Sequence, residues 1–189
     1  MFLAIGSFDA SHAARRDLIR RTYLRGLAAG EDYAFFVQNA TAEEIRARGD
    51  VVVVPRERWL DRCDGAPRGV AGHRGVEDGG KACRSGETFA YALRSYGARS
   101  DRPFVLGLDD DGFLCREALY RLAATLKRAG RDRDFVMGTW QRKGRDLVRP
   151  DQNFVLMSRD VAGNASNALD ARGPSPLSFE SRHNFPRVV

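Results

Sequence analysis

The sequence lacks any apolar run of about 18 residues, the length that a membrane-spanning helix requires. It therefore predicts no transmembrane segment within its 189 residues. The apolar stretch at residues 2–6 is too short for the core of a signal peptide, and no basic residues precede it. We interpret this stretch as a buried strand with which the fold begins.

Several signatures of ligand binding are also missing. The three cysteines, Cys63, Cys83 and Cys115, form no CxxC pair, and their spacings fit no zinc site. The net charge is +6, but the basic residues are scattered without a block of five or six, so charge alone does not predict nucleic-acid binding. Neither GxGxxG nor a P-loop is present, which excludes the common dinucleotide and triphosphate fingerprints.

What the sequence does contain is a series of short apolar segments that alternate with helical patterns. Alternating strands and helices predict one α/β domain over residues 1–189, an α/β/α sandwich with a mainly parallel sheet. Two segments stand apart, a long glycine-rich loop at 56–80 that we expect to be functional and an irregular C-terminal segment at 165–189. The predicted strands cover residues 2–6, 33–37, 51–54, 104–108, 134–140 and 153–157.

Three consecutive carboxylates, Asp109, Asp110 and Asp111, end the predicted strand at 104–108. Open α/β sheets bind ligands at the carboxyl ends of their strands. Adjacent carboxylates repel one another, and a divalent cation such as Mg²⁺ or Mn²⁺ relieves this repulsion with hard oxygen ligands. We expect Asp111 and Asp109 to reach the metal and Asp109 or Asp110 to hold a nucleotide. The alternative is a solvated acidic turn, because aspartate is common in turns.

Four motifs, in this order, resemble those of the β-1,3-galactosyltransferase and Fringe-like family. Residues 15–23, RRDLIRRTY, resemble the family's RRxxIRxTW signature. Glu44 with GDVV at 49–52 resembles the stretch E…YGD followed by Ile or Val. LDDDGF at 108–113 resembles VDDDVF, and FVLMSRD at 154–160 resembles GYVLSRDL.

The resemblance implies a GT-A fold of Rossmann type and a metal-dependent inverting glycosyltransferase. Such an enzyme moves a hexose from a UDP-sugar to a hydroxyl of a glycan or glycoconjugate, with Mn²⁺ or Mg²⁺ as cofactor. Arg16 and Arg20 then lie near the donor site or brace it; the alternative is a solvated helix face. His183 matches a late metal-binding histidine of Fringe-like proteins, or is incidental. The resemblance is compatible with a cytoplasmic protein, or with the Golgi lumen if the chain belongs to a longer type II membrane protein.

The chain departs from the family where the family's E-D-V segment supplies the catalytic base, because no clear copy is present. An inverting transfer needs a carboxylate that accepts the proton of the attacking hydroxyl. The remaining candidates are Asp170 and Glu180, and we prefer Asp170 because it follows the helix predicted to start at Ser158. The alternative is that both are loop carboxylates without a chemical role. By spacing, the family's lysine before the aspartates is replaced by Glu87, and Lys81 is the alternative substitute.

Two rival functions follow from these departures. One is a catalytically degenerate or truncated domain that binds a sugar nucleotide or glycan without turnover. The other is a nucleotidyltransferase with the same kind of metal site. It would need a glycine-rich loop carrying Arg or Lys after the first strand, which this sequence lacks.

Overall fold

The computed structural model of the chain describes residues 1–7, 9–55, 88, 91–95, 101–143 and 147–171. Their side chains are described except at 139–143, 147–153, 166 and 168–171. The predicted loop at 56–80 and the candidates Glu180 and His183 lie outside the described residues. Within the described part of the chain, no helix combines the length and apolar character needed to cross a bilayer.

Six strands form a single mixed sheet, and they are β1 Phe2–Gly6, β2 Tyr33–Val37, β3 Val51–Val53, β4 Phe104–Asp109, β5 Val136–Lys143 and β6 Leu147–Ser158. Their order across the sheet is β3-β2-β1-β4-β6-β5. The first four strands are mutually parallel, whereas β6 runs antiparallel to β4 and to β5. The predicted α/β class with a mainly parallel sheet is therefore confirmed.

Helices connect these strands, and they are a 3₁₀ turn at Ala10–His12, α1 Ala13–Arg21, α2 Ala42–Arg48, α3 Arg116–Arg128 and α4 Arg159–Ala171. Residues 88 and 91–95 are also helical. Helix α2 is capped at both ends, because the Thr41 hydroxyl accepts from the Glu44 N–H at 3.1 Å and Gly49 ends the helix in the left-handed region. Asp9 caps the 3₁₀ turn, where its side chain accepts from the Ser11 N–H.

Apolar side chains cover both faces of the sheet. On one face, α1 and α3 bury Ile19 and Leu119 against alternate residues of the central strands. On the other face, the helical residues 91–95 and Ala162 of α4 pack against the intervening strand residues. This arrangement gives three layers, helices on each side of one sheet.

The C-terminal part of the described chain corrects one boundary. Helix α4 continues to Ala171, so residues 165–171 are helical rather than irregular as expected. Asp170 consequently lies in the last turn of this helix and does not follow it. The sequence underestimated the helix because Gly163 and several Asn and Ser residues have low helix propensity, and packing of Val161, Ala162 and Ala165 on the sheet compensates.

Candidate functional site

The triple aspartate lies where the chain changes direction across the sheet. The chain leaves β1 toward β2 and β3 on one side, and β4 occupies the other side. Gly6 pairs with Asp109 in the register, so the carboxyl ends of β1 and β4 are adjacent. A Cβ atom at Gly6 would lie 3.2 Å from the Asp109 carboxylate, so glycine leaves room for it. In open α/β sheets such a switch point forms the ligand-binding crevice.

The three aspartates have different environments. Asp109 is half-buried, Asp110 is buried and Asp111 is exposed. The chain turns directly after the strand, because the Gly112 N–H donates to the Asp109 carbonyl at 3.2 Å. A solvated acidic turn therefore describes Asp111 but not Asp110.

Asp110 is held by three side chains from the other side of the crevice. The Ser7 hydroxyl donates to its Oδ2. His12 Nδ1 lies 2.8 Å from the same oxygen, and Arg15 Nη1 donates to Oδ1 at 2.9 Å. Neither His12 nor Arg15 was predicted from the sequence to be a site residue. Asp110 therefore ties the end of β4 to the start of α1.

Arg16 connects this carboxylate to helix α2. Its side chain is fully buried, and its Nε and Nη2 donate to the two carboxylate oxygens of Glu44 at 2.8 and 2.7 Å. Its Nη1 donates to the Ser7 hydroxyl and to the Asp9 carbonyl, both at 2.9 Å. Hydrogen bonds from Arg16 hold the pKa of Glu44 below its usual value. A continuous chain of polar contacts thus runs from Glu44 to Asp110.

Arg20 forms a second set of ion pairs, in which all three of its side-chain nitrogens donate hydrogen bonds. Its Nε and Nη2 donate to Asp50 at 2.7 and 2.8 Å, and Nη1 donates to Asp17 at 2.7 Å. Burial alone would lower the pKa of Arg20, but the hydrogen bonds and charges of these two carboxylates outweigh it and raise the pKa. Asp50 directly precedes β3, whose first residue, Val51, is level with the middle of β2.

The arginines at 16 and 20 are therefore not part of a solvated helix face, and that alternative is wrong. Arg16 and Arg20 are four positions apart, so they lie on one side of α1, the side that also buries Ile19. This helical spacing was the signal in the sequence that could have placed them inside. Arg15 falls on a different side of the helix, and its side chain is 45% exposed.

An aromatic pair borders the turn that carries the aspartates. Phe113 is 86% exposed, and its ring meets the buried Tyr23 ring edge-on with centroids 6.3 Å apart. Burial, together with the charge of Asp110, raises the pKa of Tyr23 to about 12. No residue in the described part of the chain accepts from or donates to the Tyr23 hydroxyl, which is itself buried.

The remaining predicted site residues are not brought into this cluster by the described structure. Asp170 is part of α4, but its side chain is outside the described atoms. Considering only the described residues, no three or more His, Cys, Asp or Glu side chains are grouped so as to hold a metal ion. The assignment of the metal to Asp109, Asp111 and His183 thus stays a prediction.

Comparison with known proteins adds no family assignment to this geometry. No protein-family model matches the chain, and no curated protein matches it at a significant level. A function is therefore inferred from the motifs of the sequence and from the crevice at the ends of β1 and β4.

Proposed function

We propose that the chain is a metal-dependent inverting glycosyltransferase with a GT-A fold, which transfers a hexose from a UDP-sugar to a hydroxyl of a glycan or glycoconjugate. The observation that carries the proposal is the position of Asp109–Asp111 at the carboxyl end of β4, beside the end of β1. Ligands of open α/β sheets bind at this place. The order β3-β2-β1-β4 also matches the first four positions of the Rossmann order, 3-2-1-4, which supports the GT-A assignment.

The residues at this edge fit a hard divalent cation. Asp109 is half-buried beside Gly6, and Asp111 is exposed directly after the end of β4. Carboxylate oxygens are the ligands that Mg²⁺ and Mn²⁺ prefer. When bound, the cation would stabilise the leaving diphosphate. Asp110, Arg16 and Arg20 would then position these ligands.

The geometry of α4 supports Asp170 as the catalytic base. The helix begins beside the start of β4, because the Arg159 N–H donates to the Pro103 carbonyl at 2.9 Å, and it packs against β4 and β6. Thirteen residues of helix span about 20 Å. The six-residue strand β4 has about the same length. The last turn of α4 can therefore return to the edge at which Asp109 lies.

The test of this role is the variant Asp170→Asn. Loss of a general base should lower the rate of sugar transfer by about 10²–10⁴-fold, while binding of UDP and Mn²⁺ stays unchanged. Asn167→Ala, an exposed change on the same helix, is the matched control and should keep the full rate. Full activity of Asp170→Asn would eliminate Asp170 and leave Glu180, which Glu180→Gln tests in the same assay.

A second candidate is a domain that binds a sugar nucleotide without transferring the sugar. The observation that favours it is that Ser7, His12 and Arg15 all contact Asp110, so this carboxylate is engaged within the protein. Release of UDP, measured with a panel of UDP-sugars with and without an acceptor mixture, separates the two functions. Mn²⁺-dependent UDP binding without any release would establish the second.

A further inference from the structure

The three arginines in the middle of α1 are not equivalent. For Arg16 and Arg20, Nε, Nη1 and Nη2 each donate to an oxygen within the protein. Arg15 makes a single hydrogen bond, from Nη1 to Asp110, and nearly half of its side chain is exposed. Among the described residues, no other acceptor engages Arg15, so the rest of its planar guanidinium is open to a ligand in the crevice.

The hydrogen bond between Arg15 and Asp110 can break while the other contacts of Asp110 remain. Arg15 uses Oδ1 of Asp110, whereas Ser7 and His12 both contact Oδ2. Asp110 therefore keeps two partners when Arg15 leaves. The Arg15 side chain is 45% exposed, so water partly screens its attraction to the buried Asp110.

We propose that Arg15 binds the diphosphate of the donor, and that phosphate oxygens replace Asp110 as its partner. A guanidinium presents two parallel N–H groups that match two oxygens of a phosphate. Arg15 lies in the first turns of α1, on the β1 side of the crevice, and the aspartates of β4 lie on the other side. This role rests on the proposed function. It assigns the contact with the UDP-sugar to Arg15 instead of Arg16 and Arg20, whose side-chain nitrogens all donate within the protein.

Calorimetric titration with pyrophosphate, UDP and uridine in the presence of Mn²⁺ tests this role. Arg15→Ala should weaken binding of pyrophosphate and UDP by tenfold or more and leave uridine binding unchanged, because uridine has no phosphate. Arg15→Lys should fall between, since an ammonium group cannot form the paired bonds. Arg21→Ala removes an exposed arginine of the same helix and should bind all three ligands like the unmodified chain.

The outcomes separate this role from the proposed function. If Arg15→Ala binds pyrophosphate and UDP as tightly as the unmodified chain, Arg15 has no such role, and the proposed function stands. Arg15-dependent binding of pyrophosphate without binding of UDP would keep the anion site and remove the UDP-sugar transferase. Failure of the unmodified chain to bind either ligand would overturn both. Arg15→Gln, which keeps the bulk of the side chain, must reproduce the loss if the charge is responsible and not the fold.

Discussion

Two halves of one polar cluster lie on opposite sides of Ser7, and they differ in how completely their groups are paired. The buried half consists of Arg16 with Glu44, and of Arg20 with Asp50. Each of these arginines donates two hydrogen bonds to one carboxylate, with little of either side chain exposed.

The open half consists of Arg15 and His12, which contact Asp110, and Asp111 follows Asp110 in the chain. Here Arg15 is 45% exposed, His12 is 25% exposed and Asp111 lies on the surface. The comparison teaches that neighbouring arginines of one helix serve different purposes. Removing one partner of a buried pair leaves an uncompensated charge, so changes in the buried half should be strongly destabilising. Among the described residues Arg15 is 45% exposed and makes one hydrogen bond, so its loss should affect stability less.

The largest effect is expected from breaking the buried half at Arg16. Arg16→Ala should lower the free energy of unfolding by about 3–5 kcal/mol, because the largely buried Glu44 would keep only its longer contact with Arg20, at 3.6 Å. Unfolding in urea measures this loss. Arg46→Ala, an exposed arginine on α2, is the control and should change stability by no more than about 0.5 kcal/mol.

A double-mutant cycle with Arg16→Ala and Glu44→Ala sharpens the same comparison. The two residues share two hydrogen bonds, so their effects should not add. Additive losses would show that Arg16 stabilises the fold through Ser7 and Asp9 instead. A loss of unfolding free energy below about 1 kcal/mol for Arg16→Ala would show that the pair is not buried.

Changes in the open half should affect ligand binding rather than the stability of the ligand-free chain. Mn²⁺ with UDP at 100 times its dissociation constant should raise the free energy of unfolding by about 2.7 kcal/mol. Asp111→Ala should abolish this gain without changing the stability of the ligand-free chain, because Asp111 is exposed. Glu117→Ala, an exposed carboxylate nearby on α3, should keep the gain. If Asp111→Ala is stabilised as strongly as the unmodified chain, the metal assignment is wrong.

Much of the fold was predictable because apolar runs mark the buried strands. Strands Phe2–Gly6 and Tyr33–Val37 have the predicted bounds, because both lie inside the sheet and nearly all of their residues are buried. The outer hairpin was longer than predicted. It contains polar pairs such as Gln141 with Arg149, which carry no apolar alternation for sequence analysis to detect.

The candidate site was predictable in position but not in its pairing. A strand end followed by aspartates could be located from the sequence, because both signals are local. The partners of Asp110 could not, because His12 and Arg15 are 98 and 95 positions away and meet it only when α1 packs beside β4. His12 lies half-buried against Asp110.

Acid should weaken the buried pair of Arg16 and Glu44. Hydrogen bonds from Arg16 lower the pKa of Glu44 from its usual 4.5. Because the pKa is lower in the folded state, the stabilisation is complete above pH 4.5 and is lost as the pH falls through the folded value. The difference in unfolding free energy between the unmodified chain and Glu44→Gln should be about 2 kcal/mol at pH 7. It should shrink toward pH 3; a difference independent of pH would exclude the charge of Glu44 as its source.

The smallest effect is expected at Tyr23, which is buried beside the open half but not paired with it. Its hydroxyl has no hydrogen-bond partner among the described residues, so Tyr23→Phe removes a polar group that burial already penalises. The variant should be as stable as the unmodified chain or more stable by up to about 1 kcal/mol, since the ring and its contact with Phe113 are retained. Tyr33→Phe is the matched control: burial and then the charge of the nearby Asp50 raise the pKa of Tyr33, so its hydroxyl lies beside a polar group, and its loss should destabilise the chain by about 1 kcal/mol. Urea unfolding of the two variants side by side makes the comparison.

A loss of unfolding free energy above about 1 kcal/mol for Tyr23→Phe would show that its hydroxyl is hydrogen-bonded, and the polar cluster around Asp110 would then extend beneath Phe113.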